Sequence, residues 1–415
     1  MLRKDWIMDY LQLIRSMPFA KTALITDEEV YTYGRLAEEA QTIRQKIDFS
    51  EKVHFVHKSE IVEQLLDFLA YSGTKTVPVI ATEASRGQSF VIDNIPKAAC
   101  MGVMTSGSTG RSKLLWRSYH SWADFFPEQN RIFKINQSTI MLCQGSLAFT
   151  GNLNMYMGVL AAGGTLVVTE KFRPKHWLQL MKKHSVNAIY LIPSKLMLLH
   201  KFMEQENYAI QTIISGSQAM GREEAQKLAV SFPKAELTLY YGASELNYIT
   251  YIKGCDMTDD RTDVGKAFKG VSISISNEEI YIDTPYHVEE IKLPFSLKDR
   301  GYIDDAGHLH FLGRTDDIVS VNGIKVSVTK VEAALLTMAD FAEVRCLVFH
   351  REDADILTAF IGAERKLGRI ELVEKLRAAE LTDYEIPKQF IFMTSLPKNE
   401  SGKIDKKVLQ EYKIY

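Results

Sequence analysis

The sequence predicts an α/β fold of parallel sheets in a chain of at least two domains. The first observation is length, because 415 residues exceed the roughly 250 to 300 residues at which one hydrophobic core stops growing. The second is a repeated alternation of helical periodicity with short β-branched strands, which is typical of βαβ units. The third is a change to short strands and turns from Ser272 onwards, which indicates a smaller antiparallel part.

Paired helix and strand segments predict a large N-terminal domain of βαβ parallel sheets. The pairs are IVEQLLDFLAYSGT with KTVPVIAT, HWLQLMKKHSV with NAIYLIP, and GREEAQKLAVSF with AELTLYYG. Gly73 ends the first of these helices in the position of a helix C-cap. The apolar run MYMGVLAAGGTLVV is shorter than the ~20 residues of a membrane span. It is predicted to be a buried helix, a turn and a strand.

The remainder of the chain predicts two further parts. The segments ISISNEEIYID, EEIKLPF and GYIDDAGHLHFLG read as short strands, with DAG as a hairpin turn, and predict an antiparallel, barrel-like part. After Arg314, alternating helices and strands predict a compact α+β domain. We therefore predict an N-terminal domain of residues 1–314 and a small C-terminal domain of residues 315–415.

Composition limits the classes of partner. Apolar residues make up 46% and charged residues 25% of the chain, which is ordinary for a globular enzyme. A net charge of −2 provides no dominant basic field, so we expect neither a nucleic-acid nor a membrane partner. The four cysteines are scattered without a C-x-x-C pair, and this favours neither zinc nor disulfides. Charged residues interrupt the N-terminal segment, which therefore lacks the continuous apolar core of a signal peptide. We expect a cytoplasmic protein.

The stretch MTSGSTGRSK, residues 104–113, has the composition of an anion-binding loop. Its glycines free the backbone to approach a phosphate, and its hydroxyls can donate to phosphate oxygens. It is not a Walker loop, because Lys113 falls three residues beyond Gly110. It also lacks the first glycine of the dinucleotide fingerprint. A solvated linker is the alternative that the loop alone leaves open.

The segment YYGASE, residues 240–245, follows the predicted strand ELTL. It should therefore lie at the carboxyl end of a strand, where open α/β sheets bind ligands. An aromatic side chain there can stack on a base, Ser244 can donate to phosphate and Glu245 can hold Mg²⁺. The alternative is a plain strand end with Ser244 as a helix N-cap.

Three later segments carry further candidate residues. In KDRGYID, Asp299 can accept from ribose hydroxyls, and in GRTDD, Arg314 can donate to the sugar or to phosphate. In PKNESGKID, Lys403 follows a glycine in a polar loop. The alternatives are a hairpin with salt-bridged turns for the first two and a solvated lysine for the third.

Together these segments resemble the motifs of the adenylate-forming superfamily of acyl-CoA synthetases, aryl-acid ligases and peptide-synthetase adenylation domains. TSGSTGRSK is similar to the T-S-G-T-T-G-x-P-K loop of that superfamily, YGASE to its Y-G-x-T-E and Asp299 to the Asp of its T-G-D. GRTDDIVSVNGIKVSVTKVEAAL resembles its G-R-x-D-D segment, and LPKNESGKID its L-P-K-T-x-S-G-K-I-D. All occur in the family order, and weaker matches extend over nearly the whole chain.

The resemblance assigns roles to these residues. It implies that the loop wraps the phosphates of ATP, that Glu245 holds Mg²⁺, and that Lys403, Glu245 and Ser244 form the catalytic set. The implied ATP- or AMP-binding residues are Thr105, Ser106, Gly107, Ser108, Thr109, Gly110, Lys113, Ser215, Gly216, Ser217, Tyr240, Tyr241, Gly242, Asp299 and Arg314.

The chemistry explains why no catalytic triad is visible. A carboxylic acid with a pKa near ~4 is ionised at pH 7 and can attack the α-phosphorus without a general base. The resulting acyl-adenylate passes, by resemblance, to the phosphopantetheine thiol of a carrier protein or of CoA. The resemblance further implies that the small C-terminal domain is mobile, with a hinge at Asp316 and a thiol-channel loop at Gly323.

The chain departs from the family at several positions. Ser112 replaces the Pro before the loop lysine, and Lys298 replaces the Gly of T-G-D. Many members of the superfamily have a histidine near the acyl pocket where this chain has Phe149 and Thr150. The chain is also shorter than common acyl-CoA synthetases, which implies a trimmed N-terminal subdomain.

The candidate acid pocket is polar and aromatic. Its members by position are Phe149, Thr150, Asn152, Tyr190, Ser194, Ser217 and Ala243. Such a lining suits a small hydroxylated aromatic acid better than a long alkyl chain, so we expect a dihydroxybenzoate-like acid loaded onto a carrier protein for siderophore synthesis. A CoA ligase for a fatty or aryl acid and a non-catalytic AMP-binding module are the alternatives.

Overall fold

The structure, a computed structural model, contains two compact units, which are described separately below. It describes residues 9–81, 85, 90, 92, 94–106, 112–338, 341, 343–351, 354–363, 365–379, 381–398 and 404–412. The first unit comprises residues 1–260, 264–273 and 282–295, and the second comprises residues 261–263, 274–281 and 296–415.

The elements are numbered in chain order. The strands are β1 (Thr22–Ile25), β2 (Val30–Thr32), β3 (Val53–Val56), β4 (Val77–Ile80), β5 (Ala99–Ser106), β6 (Ser112–Ser118), β7 (Ile140–Gln144), β8 (Thr165–Thr169), β9 (Ala188–Tyr190), β10 (Thr212–Gly216), β11 (Glu236–Ala243), β12 (Asn247–Lys253), β13 (Lys266–Ala267), β14 (Ser272–Ser276), β15 (Glu279–Asp283), β16 (Asp299–Ile303), β17 (Leu309–Arg314), β18 (Ile318–Val321), β19 (Ile324–Ser327), β20 (Glu343–His350), β21 (Asp355–Gly362) and β22 (Gln389–Met393). The helices are α1 (Tyr10–Arg15), α2 (Tyr33–Arg44), α3 (Ile61–Tyr71), α4 (Tyr119–Trp122), α5 (Phe126–Ile132), α6 (Thr150–Ala161), α7 (Pro174–Lys183), α8 (Pro193–Lys201), α9 (Arg222–Ser231), α10 (Val328–Leu336), α11 (Arg369–Ala378) and α12 (Lys406–Gln410).

A long sheet forms the centre of the first unit, in the order β13-β12-β11-β10-β9-β7-β8-β1-β2. Adjacent strands of this sheet pair in parallel from β11 through β10, β9, β7 and β8 to β1. Every residue of β8 and β10 is buried, as expected for parallel strands covered on both faces. Trp177 and Leu180 of α7 and Leu228 of α9 pack on this sheet. The predicted βαβ rhythm is confirmed.

A second sheet of the first unit has the order β3-β4-β5-β6. The strands β3, β4 and β5 are parallel, whereas β5 and β6 are antiparallel. The register pairs Ser106, the last residue of β5, with Ser112, the first residue of β6. Gly73 has φ 69° after α3, which confirms its place at the end of that helix.

The second unit contains the antiparallel hairpin that the sequence predicts from GYIDDAGHLHFLG, whereas the predicted strand EEIKLPF forms only an isolated bridge between Ile282 and Phe295 and lies in the first unit. β16 pairs with β17 from Asp299 and Arg314 to Ile303 and Leu309. Gly307, with φ 78°, lies in the turn between them, where the hairpin was predicted. A further sheet, β20-β21-β22, packs against α10 and α11 around an apolar core. The α/β fold class is thus confirmed, and the domain boundary at 314/315 stays a prediction.

In the part of the chain that the structure describes, no helix is both long and apolar enough to cross a membrane.

A buried carboxylate in the second unit gives a pH-dependent prediction. Glu332 of α10 accepts from the Cys346 backbone N–H at 2.7 Å and contacts Arg345 at 3.3 Å. Burial raises the pKa of Glu332 from its ordinary value of 4.5 to about 7, although the nearby Arg345 opposes the shift. Between these values the folded protein retains a proton that the unfolded chain has released. We therefore expect the stability around α10 to fall as pH rises from about 5 to about 8.

Hydrogen exchange of the α10 peptide, corrected for the intrinsic pH dependence, measures this slope. Glu332→Gln cannot ionise. We expect this variant to be less stable than the parent protein, because the new amide N–H group faces Arg345. We also expect its stability to depend less on pH. Equal slopes in the two proteins would contradict the prediction.

Candidate active site

The candidate site begins at the carboxyl ends of four adjacent strands, β7, β9, β10 and β11. The chain passes from β7 to β8 on one side and returns to β9 on the other side of β7. Such a reversal opens a crevice above the carboxyl edge of a parallel sheet, the usual place of a ligand in open α/β folds. The ends of these strands and the segments that follow them carry most of the predicted residues of the first unit.

The end of β10 lies close against β11. An ideal Cβ on Gly216 would lie 2.5 Å from the Tyr240 ring, so only glycine fits there. The Ser215 hydroxyl donates to the Leu191 carbonyl at 2.8 Å, which commits this side chain to the backbone. Ser217 is exposed with φ 69°. Of the predicted ATP- or AMP-binding residues Ser215, Gly216 and Ser217, Ser217 is therefore the one whose side chain faces solvent.

The two tyrosines of β11 have different environments. Tyr240 is buried, and its hydroxyl lies 2.8 Å from that of Tyr190. Burial raises the pKa of Tyr240 to about 12 and that of Tyr190 well above its usual range. Tyr241 is half-buried and points to the opposite face, as strand alternation requires. Tyr240 therefore packs in the core, and Tyr241 is the better candidate for stacking on a base.

Ser244 and Glu245 lie in the turn between β11 and the antiparallel strand β12. Ser244 is therefore not a helix N-cap, the alternative that the sequence left open. A β-bulge interrupts the pairing between Tyr241 and Gly242. A Cβ on Gly242 would lie 2.5 Å from the Asn247 carbonyl oxygen, so the close approach of the two strands requires glycine.

The start of α6 supplies three of the seven candidate acid-pocket residues, Phe149, Thr150 and Asn152. The Thr150 hydroxyl lies 2.7 Å from the Ser244 hydroxyl, which joins the predicted pocket to the predicted phosphate side of the site. A Cβ on Gly151 would lie 2.8 Å from the Phe149 ring and 2.5 Å from the Tyr190 hydroxyl. Gly151, which the sequence analysis missed, thus brings these aromatic side chains against α6. A glycine in the first turn of a helix was the available signal.

Other pocket candidates have structural partners. Asn152 is buried and donates to the Ser146 carbonyl at 2.9 Å, so it holds the segment between β7 and α6. The Ser194 backbone N–H donates to the Gln218 side chain at 2.9 Å. The Ser194 hydroxyl is a buried atom with no hydrogen-bond partner in the described parts of the chain. Ala243 is the last, half-buried residue of β11.

A buried cation, Arg117 of β6, lies behind this turn and was also missed. It is 3% exposed and donates to the carbonyls of Ser121 at 2.9 Å, Tyr286 at 3.2 Å and Ser244. Desolvation lowers the pKa of Arg117 to about 10, and the negative charge of Glu245 opposes this shift. The guanidinium is therefore charged at neutral pH. A single basic residue in the apolar strand LLWRS was the available signal.

The Glu245 side chain fits a role in holding a cation. It is half-buried, and within the described residues no hydrogen-bond donor engages its carboxylate. Its backbone carbonyl accepts from the Val288 N–H at 2.9 Å, which fixes the main chain while leaving the carboxylate oxygens available. Carboxylate oxygen is the ligand type that Mg²⁺ prefers.

Two predicted ribose residues pair within the second unit. Asp299 and Arg314 face each other across β16 and β17, and the Arg314 Nε lies 3.3 Å from the Asp299 carboxylate. Lys298 has φ 64°, a conformation that glycine adopts without strain. The replacement of the family glycine by lysine therefore keeps the left-handed backbone before Asp299.

The predicted thiol-channel residue Gly323 forms a tight hairpin tip with Asn322. Their φ angles are 82° and 52°, as expected for the Asn-Gly turn between β18 and β19. Asp355 of β21 anchors the tip through two hydrogen bonds. Its backbone N–H donates to the Asn322 Oδ1 at 2.8 Å, and its carboxylate accepts from the Asn322 backbone N–H at 2.8 Å. The predicted hinge residue, Asp316, lies in the 3₁₀ turn Thr315–Asp317.

The remaining predicted residues belong to two sequence motifs, MTSGSTGRSK and PKNESGKID. Thr105 and Ser106 lie at the end of β5, and Lys113 is exposed on β6. Five predicted residues lie outside the described residues, namely Gly107, Ser108, Thr109, Gly110 and Lys403.

Comparison with family models decides the family. The model of the AMP-binding enzyme family matches residues 22–285, more than half of the chain. The chain belongs to the AMP-binding enzyme family. The resemblance and the enzyme class inferred from the sequence are therefore confirmed.

Curated relatives of this AMP-binding enzyme share limited identity with it. It is 26% identical over 318 residues to the uncharacterized acyl-CoA ligase YhfT of Bacillus subtilis, covering 72% of this chain and 66% of the relative. It is 22% identical to the putative long chain fatty acid-CoA ligase VraA of Staphylococcus epidermidis, covering 97% and 98%. It is 25% identical to the vibriobactin-specific 2,3-dihydroxybenzoate-AMP ligase of Vibrio cholerae, covering 80% and 70%.

Solved structures share the fold of this AMP-binding enzyme. It is similar to o-succinylbenzoate CoA synthetase (MenE) of Bacillus subtilis in complex with the acyl-adenylate OSB-AMP, with a TM-score of 0.81, 16% identity and 98% of each chain covered. It is also similar to ATP-bound MatB of Rhodopseudomonas palustris, with a TM-score of 0.79, 20% identity and coverage of 97% and 99%.

The close approach at Gly242 yields a prediction about the turn that carries Ser244 and Glu245. In Gly242→Ala, the new methyl group meets the Asn247 carbonyl at 2.5 Å, so the turn must shift. We expect a loss of about 1 to 3 kcal/mol in stability and weaker binding of ATP with magnesium, measured by thermal unfolding and calorimetry.

Gly368→Ala is the matched control, because a Cβ at Gly368 meets no atom within 4 Å among the described residues and its φ is −69°. Nucleotide binding in this variant should equal that of the parent protein. Unchanged stability and binding in Gly242→Ala would contradict the packing argument.

Proposed function

We propose that this AMP-binding enzyme uses ATP to activate a carboxylic acid as an acyl-adenylate, releases pyrophosphate and passes the acyl group to a phosphopantetheine thiol. The observation that carries the proposal is the contact of Thr150 with Ser244 at 2.7 Å. It joins the start of α6, the candidate acid pocket, to the turn that presents Glu245. The acid and the phosphates would thus share the carboxyl edge of one sheet.

The residues act mainly by placement and charge. The acid is ionised at neutral pH and needs no general base, so the protein has to hold its carboxylate in line with the α-phosphorus. Ser244 and the hydroxyls of the β5–β6 loop would donate to phosphate oxygens, and Lys403 would stabilise the charge that develops on the reacting phosphoryl group. Glu245 would hold Mg²⁺, which neutralises phosphate charge when bound.

Thiol transfer would use the residues of the second unit. The resemblance places the hinge at Asp316 and the thiol channel at Gly323. The support is the rigid hairpin tip, which Asp355 holds through Asn322. The pair of Asp299 and Arg314 would supply a ribose-binding acceptor and donor.

A small aryl acid is our preferred substrate, with a carrier protein as acceptor and siderophore synthesis as the setting. Phe149 and Tyr190 lie against Gly151, and the buried Ser194 hydroxyl offers a partner for a ring hydroxyl. A relative is named as a 2,3-dihydroxybenzoate-AMP ligase. We further expect a reducing cytoplasm, because all four cysteines are described and none forms a disulfide.

A fatty-acid or aryl-acid CoA ligase is the second candidate. Its support is the relative that matches 97% of this chain and is named as a putative long chain fatty acid-CoA ligase. A non-catalytic AMP-binding module is the candidate of another class, and retention of Glu245, Asp299, Arg314 and Lys403 together weighs against it.

Replacement of the proposed catalytic lysine separates the two half-reactions. We expect Lys403→Ala to abolish acid-dependent exchange of labelled pyrophosphate into ATP while largely sparing thiol transfer from supplied acyl-adenylate, because the lysine acts on the phosphoryl group only. Lys407→Ala, which removes an exposed lysine of α12, is the control and should retain both. Equal loss of both half-reactions in Lys403→Ala would refute the assignment.

A panel of acids in the same exchange assay tests the substrate. We expect strong exchange with hydroxybenzoates and weak exchange with long fatty acids, since the pocket residues are aromatic and polar. Strong exchange with fatty acids would favour the CoA ligase. Binding of ATP without exchange for any acid would favour the non-catalytic module.

A further inference from the structure

The buried Arg117 is more than a packing element. A guanidinium at 3% exposure loses most of its hydration, and a buried charge is seldom the most stable choice for a core position. It has neutral acceptors as hydrogen-bond partners, namely backbone carbonyls. A charge kept in such a place calls for a reason other than fold stability.

The carbonyls that Arg117 binds come from three segments that are distant in sequence. Ser121 lies four residues after Arg117, just beyond β6. Ser244 and Tyr286 lie 127 and 169 residues after Arg117. A planar guanidinium has donors in a fixed fork and can fix several acceptors at once, which a lysine ammonium cannot do in the same geometry. Arg117 therefore sets the relative positions of these segments.

The Ser244–Glu245 turn is held on both of its backbone carbonyls. Arg117 binds the Ser244 carbonyl, and Val288 donates to the Glu245 carbonyl at 2.9 Å. With both carbonyls fixed, the Glu245 side chain can leave the backbone in a restricted direction only. The charge of Arg117 also acts on the Glu245 carboxylate.

The segment that contains Val288 is tied to the same strand. Glu289 donates its backbone N–H to the Trp116 carbonyl at 2.9 Å, and Trp116 donates its own to the Glu290 side chain at 2.8 Å. β6 begins at Ser112, so it includes the last two residues of the predicted phosphate loop. One strand thus connects the end of that loop to both supports of the Glu245 turn.

We propose that Arg117 is a positioning residue of the adenylation reaction, which holds the Ser244–Glu245 turn so that the Glu245 carboxylate meets the magnesium of the bound nucleotide. The inference rests on the proposed function of Glu245. It assigns Arg117 an effect on magnesium use and on turnover, because misplacement of a supporting group by about 1 Å can lower a rate about 100-fold.

The test compares Arg117→Lys with Arg44→Lys. Arg44 is a matched control, since its guanidinium also binds three backbone carbonyls, those of Leu69, Ala70 and Ser72, together with Asp9. Both variants are expected to be less stable than the parent. Only Arg117→Lys should show a fall of about 10- to 100-fold in the maximal rate of pyrophosphate exchange. It should also need a several-fold higher magnesium concentration for half-maximal rate. The KM for the acid should change little.

Chemical rescue adds a measurement that does not depend on the stability of the fold. Guanidinium chloride at sub-denaturing concentration should restore part of the exchange rate to Arg117→Ala, whereas sodium chloride of equal ionic strength should not. If Arg117→Lys keeps the parent magnesium dependence and rate, or if it loses activity only as far as Arg44→Lys does, the inference is overturned.

Calorimetry of ATP binding with and without magnesium separates this inference from the proposed function. A parent protein that binds ATP with magnesium but exchanges no pyrophosphate with any acid of the panel contradicts the proposed function, and weaker magnesium-dependent binding in Arg117→Lys than in Arg44→Lys still supports the positioning role. A parent protein with no magnesium-dependent binding overturns both.

Discussion

The close packing of β10 on β11 is the constraint on which the rest of the site depends. Gly216 leaves room for the Tyr240 ring, Tyr240 meets Tyr190 through their hydroxyls, and Gly151 lets the start of α6 approach both. Protein interiors are packed too densely to absorb even one added methylene without a shift. The two glycines therefore determine how far α6 lies from the sheet edge, and through Thr150 and Ser244 they also locate the turn that carries Glu245.

The second unit contains its own set of ion pairs. Arg314 pairs with Asp299, Lys298 pairs with Glu279 at 2.8 Å, and Asp317 contacts Arg345 and Lys406 at 3.4 and 3.3 Å. A ribose that binds Asp299 would have to exchange one of these partners for its own hydroxyls. Arg314 is the exposed member of its pair with Asp299, so exchange of this partner would cost little free energy.

Much of the fold and part of the site could be predicted from the sequence. Helices such as α7 and α9 show a periodic pattern of apolar residues, and the turns at Gly73 and Gly307 contain the glycine that such turns require. These elements could therefore be predicted from residues that are close together in the sequence. The orientation of Tyr240 and Tyr241 could not be predicted, because alternation places them on opposite faces without saying which face is buried. Arg117 was missed because its partners are 127 and 169 residues away, and the meaning of a buried charge comes from tertiary contacts. The roles of all the predicted site residues stay predictions, including those of the five residues outside the described parts.

The anchoring of the Asn322–Gly323 turn bears on the chemical ageing of the protein. Asn-Gly in an exposed turn is the sequence most prone to deamidation, because the glycine nitrogen can attack the asparagine amide carbon with little steric hindrance. Here the Asn322 Oδ1 accepts from the Asp355 N–H at 2.8 Å and its Nδ2 donates to the Asp355 carbonyl at 3.2 Å. An amide held at both ends cannot rotate freely into the ring-closing geometry, so this turn should accumulate isoaspartate slowly on storage.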